Sequence, residues 1–295
     1  MIITLNEDED IYKYKNLKEL KIKLCPGKNG IKWISLNNKV IKKITYLDIS
    51  FYNMYSISVN LKNLRHLNCS NSKIVYLPNT LINLIRLECN NTSLKRIPNT
   101  YTNLIHLECS GSQITQIPET LNKLMYLDCS NTKVNRVSNK FKSLVNLNCS
   151  NSDVDYIPQE LCNLMIINCE NTRIKLISDV CKNIRNLNCN RTAITYIPKE
   201  FVKLNVLFCE GTNVIIPKTL VNLEKLICDN KYFNIFDIPG TFHKLKESSF
   251  DISLYKEKAN KYSLQKGIME LYKLVKKGYL NNDVMHYIYK FLIET

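Results

Sequence analysis

Cysteine returns every twenty residues through the middle of this chain. Cys69, Cys89, Cys109, Cys129, Cys149, Cys169, Cys189 and Cys209 keep that spacing, and Cys228 follows after nineteen. A side chain that recurs at a fixed interval over so long a stretch commits the chain to a repeat architecture, in which each copy is one supersecondary unit stacked on the next. A length of 295 residues would otherwise suggest one large domain or two ordinary ones.

Around each cysteine the apolar positions also recur. Leucine precedes it at two and five residues in most copies, as in Leu64 and Leu67, Leu84 and Leu87, or Leu104 and Leu107. Ile74, Leu94, Ile114, Val134, Val154, Ile174, Ile194 or Val214 follows five residues later. A last apolar residue stands before proline, as in Leu77-Pro78, Ile97-Pro98 and Ile216-Pro217, with Ser138 and Ser178 replacing the proline in two units. The unit reads L-x-x-L-x-C-x-[NG]-[ST]-x-I-x-x-I-P-x-x-L-x-x.

That unit resembles the leucine-rich repeat, whose short form runs L-x-x-L-x-L-x-x-N-x-L-x-x-L-P. The resemblance spans about residues 44–250 in roughly ten units, the first opened by Ile44, Leu47 and Ile49. It implies an α/β repeat solenoid, a horseshoe with one parallel concave β-sheet. Residues 1–43, with Leu17, Leu20 and Ile22, read as an irregular amino-terminal cap, and residues 251–295 as a helical carboxyl-terminal cap. In that tail, Ile268, Leu271, Tyr272 and Val275 share a helical face that stops at Gly278, and Asn282 or Asp283 caps a second helix. Leu280, Asp283, Val284, Ile288 and Leu292 resemble the opening of an F-box, although Asn281 stands where that family has proline. The F-box resemblance implies a substrate receptor for a ubiquitin ligase.

Strand geometry assigns the side chains. Alternation turns Leu67 and Cys69 inward and His66, Asn68 and Ser70 to solvent. The thiols are therefore small buried apolar residues. No C-x-x-C pair suggests zinc, and disulfides belong to secreted chains. Cys25 and Cys162 lie off the register and read as stray thiols.

Where the leucine-rich repeat carries asparagine, this chain has Ser72, Thr92, Ser112, Thr132, Ser152, Thr172, Thr192 and Thr212. Hydroxyls bridge fewer groups than amides. The preceding residues are Asn71, Asn91, Gly111, Asn131, Asn151, Asn171, Arg191 and Gly211, which predicts a left-handed backbone there with Arg191 strained.

Function follows from what the outward columns carry. His66, Arg86, Glu88, His106, Glu108, Tyr126 and Asp128 occupy adjacent rows of the concave face. A general base could stand beside an acid there, but a solvated sheet lacks the desolvation that makes such groups potent. The middle of the face is rich in asparagine, and its far end carries Ile166, Val206, Phe208 and Ile227. Outward apolar anchors point to a protein partner. They also suit a tail folded back over Phe208 and Ile227. There is no P-loop, G-x-S-x-G or dinucleotide fingerprint, and with seven glycines the chain has little material for a phosphate cradle. The expectation is a non-catalytic scaffold with no metal and no cofactor.

The net charge of +15 raises nucleic acid or an acidic membrane surface as partners. No aromatic stacking platform accompanies the lysines, and nucleic acid is the lesser expectation. The wealth of Asn, Lys, Ile and Tyr resembles chains from AT-rich genomes, such as those of giant DNA viruses or amoebae. No signal peptide and no bilayer-spanning apolar run is visible, which leads to an intracellular, cytoplasmic expectation (the host cytoplasm for a viral chain) with no membrane contact.

Overall fold

The computed structural model describes residues 2–5, 20–24, 42–57, 61–229 and 244–249. Cys25 and the tail from residue 250, with its predicted helices and F-box-like residues, lie outside the described residues. The described chain forms one parallel sheet in which thirteen strands stand in sequence order. They are β1 (Ile2–Leu5), β2 (Leu20–Leu24), β3 (Ile44–Asp48), β4 (His66–Asn68), β5 (Arg86–Glu88), β6 (His106–Glu108), β7 (Tyr126–Asp128), β8 (Asn146–Asn148), β9 (Ile166–Asn168), β10 (Asn186–Asn188), β11 (Val206–Phe208), β12 (Lys225–Ile227) and β13 (Glu247–Ser248). Each strand pairs only with its neighbours in the chain, so the architecture is a solenoid. β1 and β2 continue the sheet into the region read as an irregular cap, where no cysteine register announces them.

From β4 to β8 the middle strand residue is buried and its two neighbours are partly exposed. Leu67, Leu87, Leu107, Leu127 and Leu147 therefore meet inside, and each following cysteine joins them at 0% exposure. On the far side of each turn the core is closed by residues such as Leu81, Tyr101, Phe141 and Phe201, all fully buried. Tyr101 keeps its hydroxyl satisfied by donating to the Pro78 carbonyl at 2.9 Å. A buried polar group without such a partner would cost about 1–3 kcal/mol. Cys181 takes the same place as these leucines and aromatics, a thiol outside the ladder that is nevertheless buried.

The seven ladder thiols from Cys69 to Cys189 point into this interior, where desolvation raises their pKa. Cys69 and Cys189 are each pushed up to about 12. Cys89, Cys109, Cys129, Cys149 and Cys169 are all raised well above the ordinary thiol range by the same burial, with neighbouring ladder thiols adding to it. Several also donate weakly to the next turn, as Cys109 Sγ does to the Asp128 carbonyl at 3.3 Å. Cys162 is exposed, as its place off the register predicts.

All eight residues predicted to be left-handed are so, with φ between 52° at Asn171 and 68° at Gly211; Arg191 stands at 53°. Phe51 joins them at 61°, in the first unit, where an aromatic side chain conceals the position. Asparagine does more here than tolerate the backbone. Asn91 Nδ2 donates to Asn71 Oδ1 at 3.0 Å and Asn171 Nδ2 to Asn151 Oδ1 at 2.8 Å, a side-chain link from turn to turn.

The hydroxyl column works inside its own turn. Ser72, Thr92 and Thr172 donate to the carbonyl of the cysteine three residues back at 2.6, 2.8 and 2.6 Å. The Ser72 oxygen also accepts from the Ile74 amide at 3.4 Å. Bridging between turns passes instead to a second asparagine column just before the strands. There Asn63, Asn83, Asn103 and Asn163 each donate to a carbonyl of the preceding turn.

One expected orientation is corrected. Ser70 is buried rather than turned to solvent, and so are Ser130 and Ser150. The residue after each cysteine sits where the strand bends into the turn, and its hydroxyl is drawn into bonds across the stack. Ser70 Oγ accepts from the Asn90 amide at 3.2 Å, and Ser130 Oγ donates to Ser110 Oγ at 2.8 Å.

Candidate partner-binding face

The outward side of the sheet carries two aligned columns. The strand register pairs Tyr46 with His66, His66 with Arg86, Arg86 with His106 and His106 with Tyr126. The second column runs Asp48, Asn68, Glu88, Glu108, Asp128 through the same strands. Every residue proposed for the face from sequence lies on it. His66, Arg86, Glu88, His106, Glu108, Tyr126 and Asp128 gather on β4 to β7, while Ile166, Val206, Phe208 and Ile227 lie on β9, β11 and β12.

The charged half is a knitted network rather than a set of separately solvated groups. Arg86 donates through Nε to Glu88 and through Nη2 to Glu108 Oε1 at 3.0 Å, joining the two carboxylates. His66 Nε2 lies 3.1 Å from Glu88 Oε1, and His106 Nε2 lies 2.6 Å from Glu108 Oε1. Asn90 Nδ2 donates to the other Glu108 oxygen at 3.1 Å. Asp128 accepts from the Ser130 amide at 2.9 Å, from the Ser130 hydroxyl at 2.6 Å and from Asn148 Nδ2 at 3.1 Å.

Aromatic contacts tie the rows together. The His106 and Tyr126 rings stack at 4.1 Å with 5° between their planes, and Tyr46 meets His66 edge-on at 4.5 Å. The hydrogen bond from His66 is the largest influence on Glu88. With Arg86 it outweighs desolvation and holds that carboxyl down at about 2. Burial raises the Tyr126 phenol, and the Asp128 and Glu108 carboxylates raise it further. Such a network holds charged side chains in fixed positions before anything binds, which lowers the ordering cost of recognition.

The other half sets Ile166, Val206, Phe208 and Ile227 among asparagines such as Asn168, Asn186 and Asn188. Ile166 is 39% exposed on an outward strand position. Phe208 and Ile227 are register partners on β11 and β12, and the Lys225 ammonium lies 5.3 Å above the Phe208 ring. Tyr46 and Asp48 belong to the same two columns and were missed in the sequence. Ile49 stands in the cysteine place of that unit, yet the register of Ile44 and Leu47 already marked the strand. Among the described residues no group of His, Cys, Asp and Glu is placed to hold a metal ion.

No family model and no curated protein matches the chain. Solved structures do. The functional domain of InlJ from Listeria monocytogenes, described as including a cysteine ladder, superposes with a TM-score of 0.63 at 21% identity over 77% of this chain. An internalin, InlF, from L. monocytogenes str. 4b F2365 gives 0.62 at 18% identity, covering 85% of this chain and 87% of its own. YopM from Yersinia pestis, a leucine-rich effector protein, gives 0.56 at 18% identity over 72% of this chain. This chain spans 58% of the InlJ domain and 65% of YopM, less than two thirds of each. At these identities the likeness establishes the leucine-rich-repeat fold.

Proposed function

We propose that this leucine-rich-repeat solenoid is an interaction scaffold that holds another protein on the outward face of its sheet. One observation carries the reading. A preordered charged network shares a single face with outward apolar side chains, Ile166 exposed at 39% and Val206, Phe208 and Ile227 half-buried. Buried aromatic and aliphatic anchors supply most of the energy of protein interfaces, and charged groups around them select the partner. Fixed carboxylates on this face repel phosphate, which favours a protein over nucleic acid there.

The test uses the full chain with a photo-crosslinking residue at Asn186, between Ile166 and Val206, or at Asn135 on the back of the solenoid. Adducts formed from Asn186 and absent from Asn135 are expected, and Phe208→Asp with Ile227→Asp should abolish them. Each lost anchor should weaken binding of the purified partner by about 2 kcal/mol or more. Adducts that form equally from both positions, or that survive the double variant, overturn the proposal.

A further inference from the structure

The basic charge of the chain has a definite place. The turn before each strand brings three positions per unit to one edge of the sheet. Lys42, Lys62, Arg65, Lys142, Lys182 and Arg185 stand exposed there. Lys123, Lys203 and Lys244 join the row, each donating to the asparagine of the turn before it at 2.8, 2.8 and 2.7 Å. Among the described residues the sole carboxylate at these positions is Glu224, and the Lys246 ammonium lies 2.7 Å from it. Composition bias accounts for abundant lysine everywhere, but it does not clear carboxylates from one edge. They stand close by on both sides: Glu88, Glu108 and Asp128 on the sheet face, and Glu119 and Glu160 round the back, where they share a groove with Lys142.

The same edge is also aliphatic. Ile82 is 47% exposed, Ile85 and Ile105 are 37%, Met125 is 47% and Val202 is 44%. Ile85 and Ile105 line one groove of about 560 Å³ with Lys42, Arg65 and Lys123, and Met125, Val145 and Met165 line a second with Arg185 and Lys203. Because the strands pair in register, these turns stack in single file along the sheet, over about 45 Å at 4.8 Å per strand.

We propose that this edge docks on an anionic lipid surface. Phosphates would be met by the lysines and arginines, and the aliphatic side chains would enter the boundary between headgroups and acyl chains. Nucleic acid makes use of the first set only: among the described residues no aromatic ring stands between the cations on this edge, so bases find nothing flat to stack on. Among the described residues no helix is long and apolar enough to cross a membrane.

The experiment is co-sedimentation of the full chain with phosphatidylcholine vesicles containing or lacking phosphatidylserine, beside retention on a short DNA duplex. Sedimentation with phosphatidylserine vesicles alone is expected. Each lysine removed should weaken it about fivefold, so Lys123→Glu with Lys142→Glu should weaken it at least twenty-five-fold by the same rule. Ile105→Ser with Met125→Ser should weaken vesicle binding several-fold and leave DNA retention unchanged. Three results overturn the proposal: no preference for phosphatidylserine, vesicle binding indifferent to the aliphatic pair, or equal loss when Lys73→Glu and Lys95→Glu remove charge away from this edge. Circular dichroism of each variant confirms that the solenoid is folded.

Discussion

Raising the pH should unfold this protein through its interior thiols. Cys69 and Cys189 ionise at about 12 when folded, against an ordinary thiol value of 9.0. A group whose pKa is raised by folding contributes stability that is complete below the unfolded value and drains away as pH climbs toward the folded one. At pH 10 the unfolded chain releases a thiol proton that the folded chain retains, which costs about 1 kcal/mol per thiol. Seven ladder cysteines, Cys69 to Cys189, are raised in this way. Together they cost several kcal/mol, a large share of the stability of a typical domain. The assay is urea unfolding under reducing conditions, followed by circular dichroism from pH 7 to pH 10. Stability should fall increasingly steeply above pH 9, and Cys89→Ala, Cys129→Ala and Cys169→Ala together should flatten that fall by three protons' worth of slope. A stability that stays level from pH 8.5 to pH 10, or a slope unchanged in the triple variant, refutes the buried-ladder reasoning.

Three further outcomes are expected. Arg191→Asn and Phe51→Asn, made where φ is 53° and 61° on residues that avoid that region, should each raise stability by about 1 kcal/mol in chemical denaturation; a loss at both sites contradicts the strain. Glu88, held at about 2, stabilises the fold fully above the ordinary carboxyl value of 4.5 and loses that contribution as pH falls from there toward 2. After allowance for screening at a part-exposed site this is about 1–2 kcal/mol, and Glu88→Gln should remove that part of the acid sensitivity. Iodoacetamide at pH 8 should label Cys162 in the folded protein within minutes and leave Cys69 to Cys189 untouched until urea is added, read by peptide mapping. Cys69 is shielded twice, by burial and by a pKa pushed up to about 12, so little of it is thiolate at that pH.

Much of this was legible because a stacked repeat repeats its physics. Once Cys69 and Cys89 are known to share a place, burial, strand direction and the left-handed residue two positions on follow for every copy. What escaped depends on contacts that no single unit contains. The asparagine column from Asn63 to Asn163 bonds to carbonyls of the turn before, and which carbonyl lies across the stack is set only by assembly. Ser70 was expected in solvent for the same reason, since its partner Asn90 belongs to the next turn. Phe51 was missed because its side chain argues against the conformation that its place in the unit imposes. Alternation alone placed the residues proposed for the face on the outward side of β4 to β12, but their pairing was not legible in it. Arg86 reaches Glu108 across a strand boundary, and only the register makes them neighbours. The basic edge stayed hidden because a total of +15 says nothing about direction; summing charge column by column would have exposed it.

Each asparagine before a strand, such as Asn83 or Asn103, ties its turn to the one just behind it. Stitching of that kind has no memory beyond one step. Excising a whole period, from one cysteine to the next, would close the seam with the same stitches. The number of turns is thus free to drift without redesign of any of them, and the reach of the solenoid can be lengthened or trimmed while its weave stays as it is.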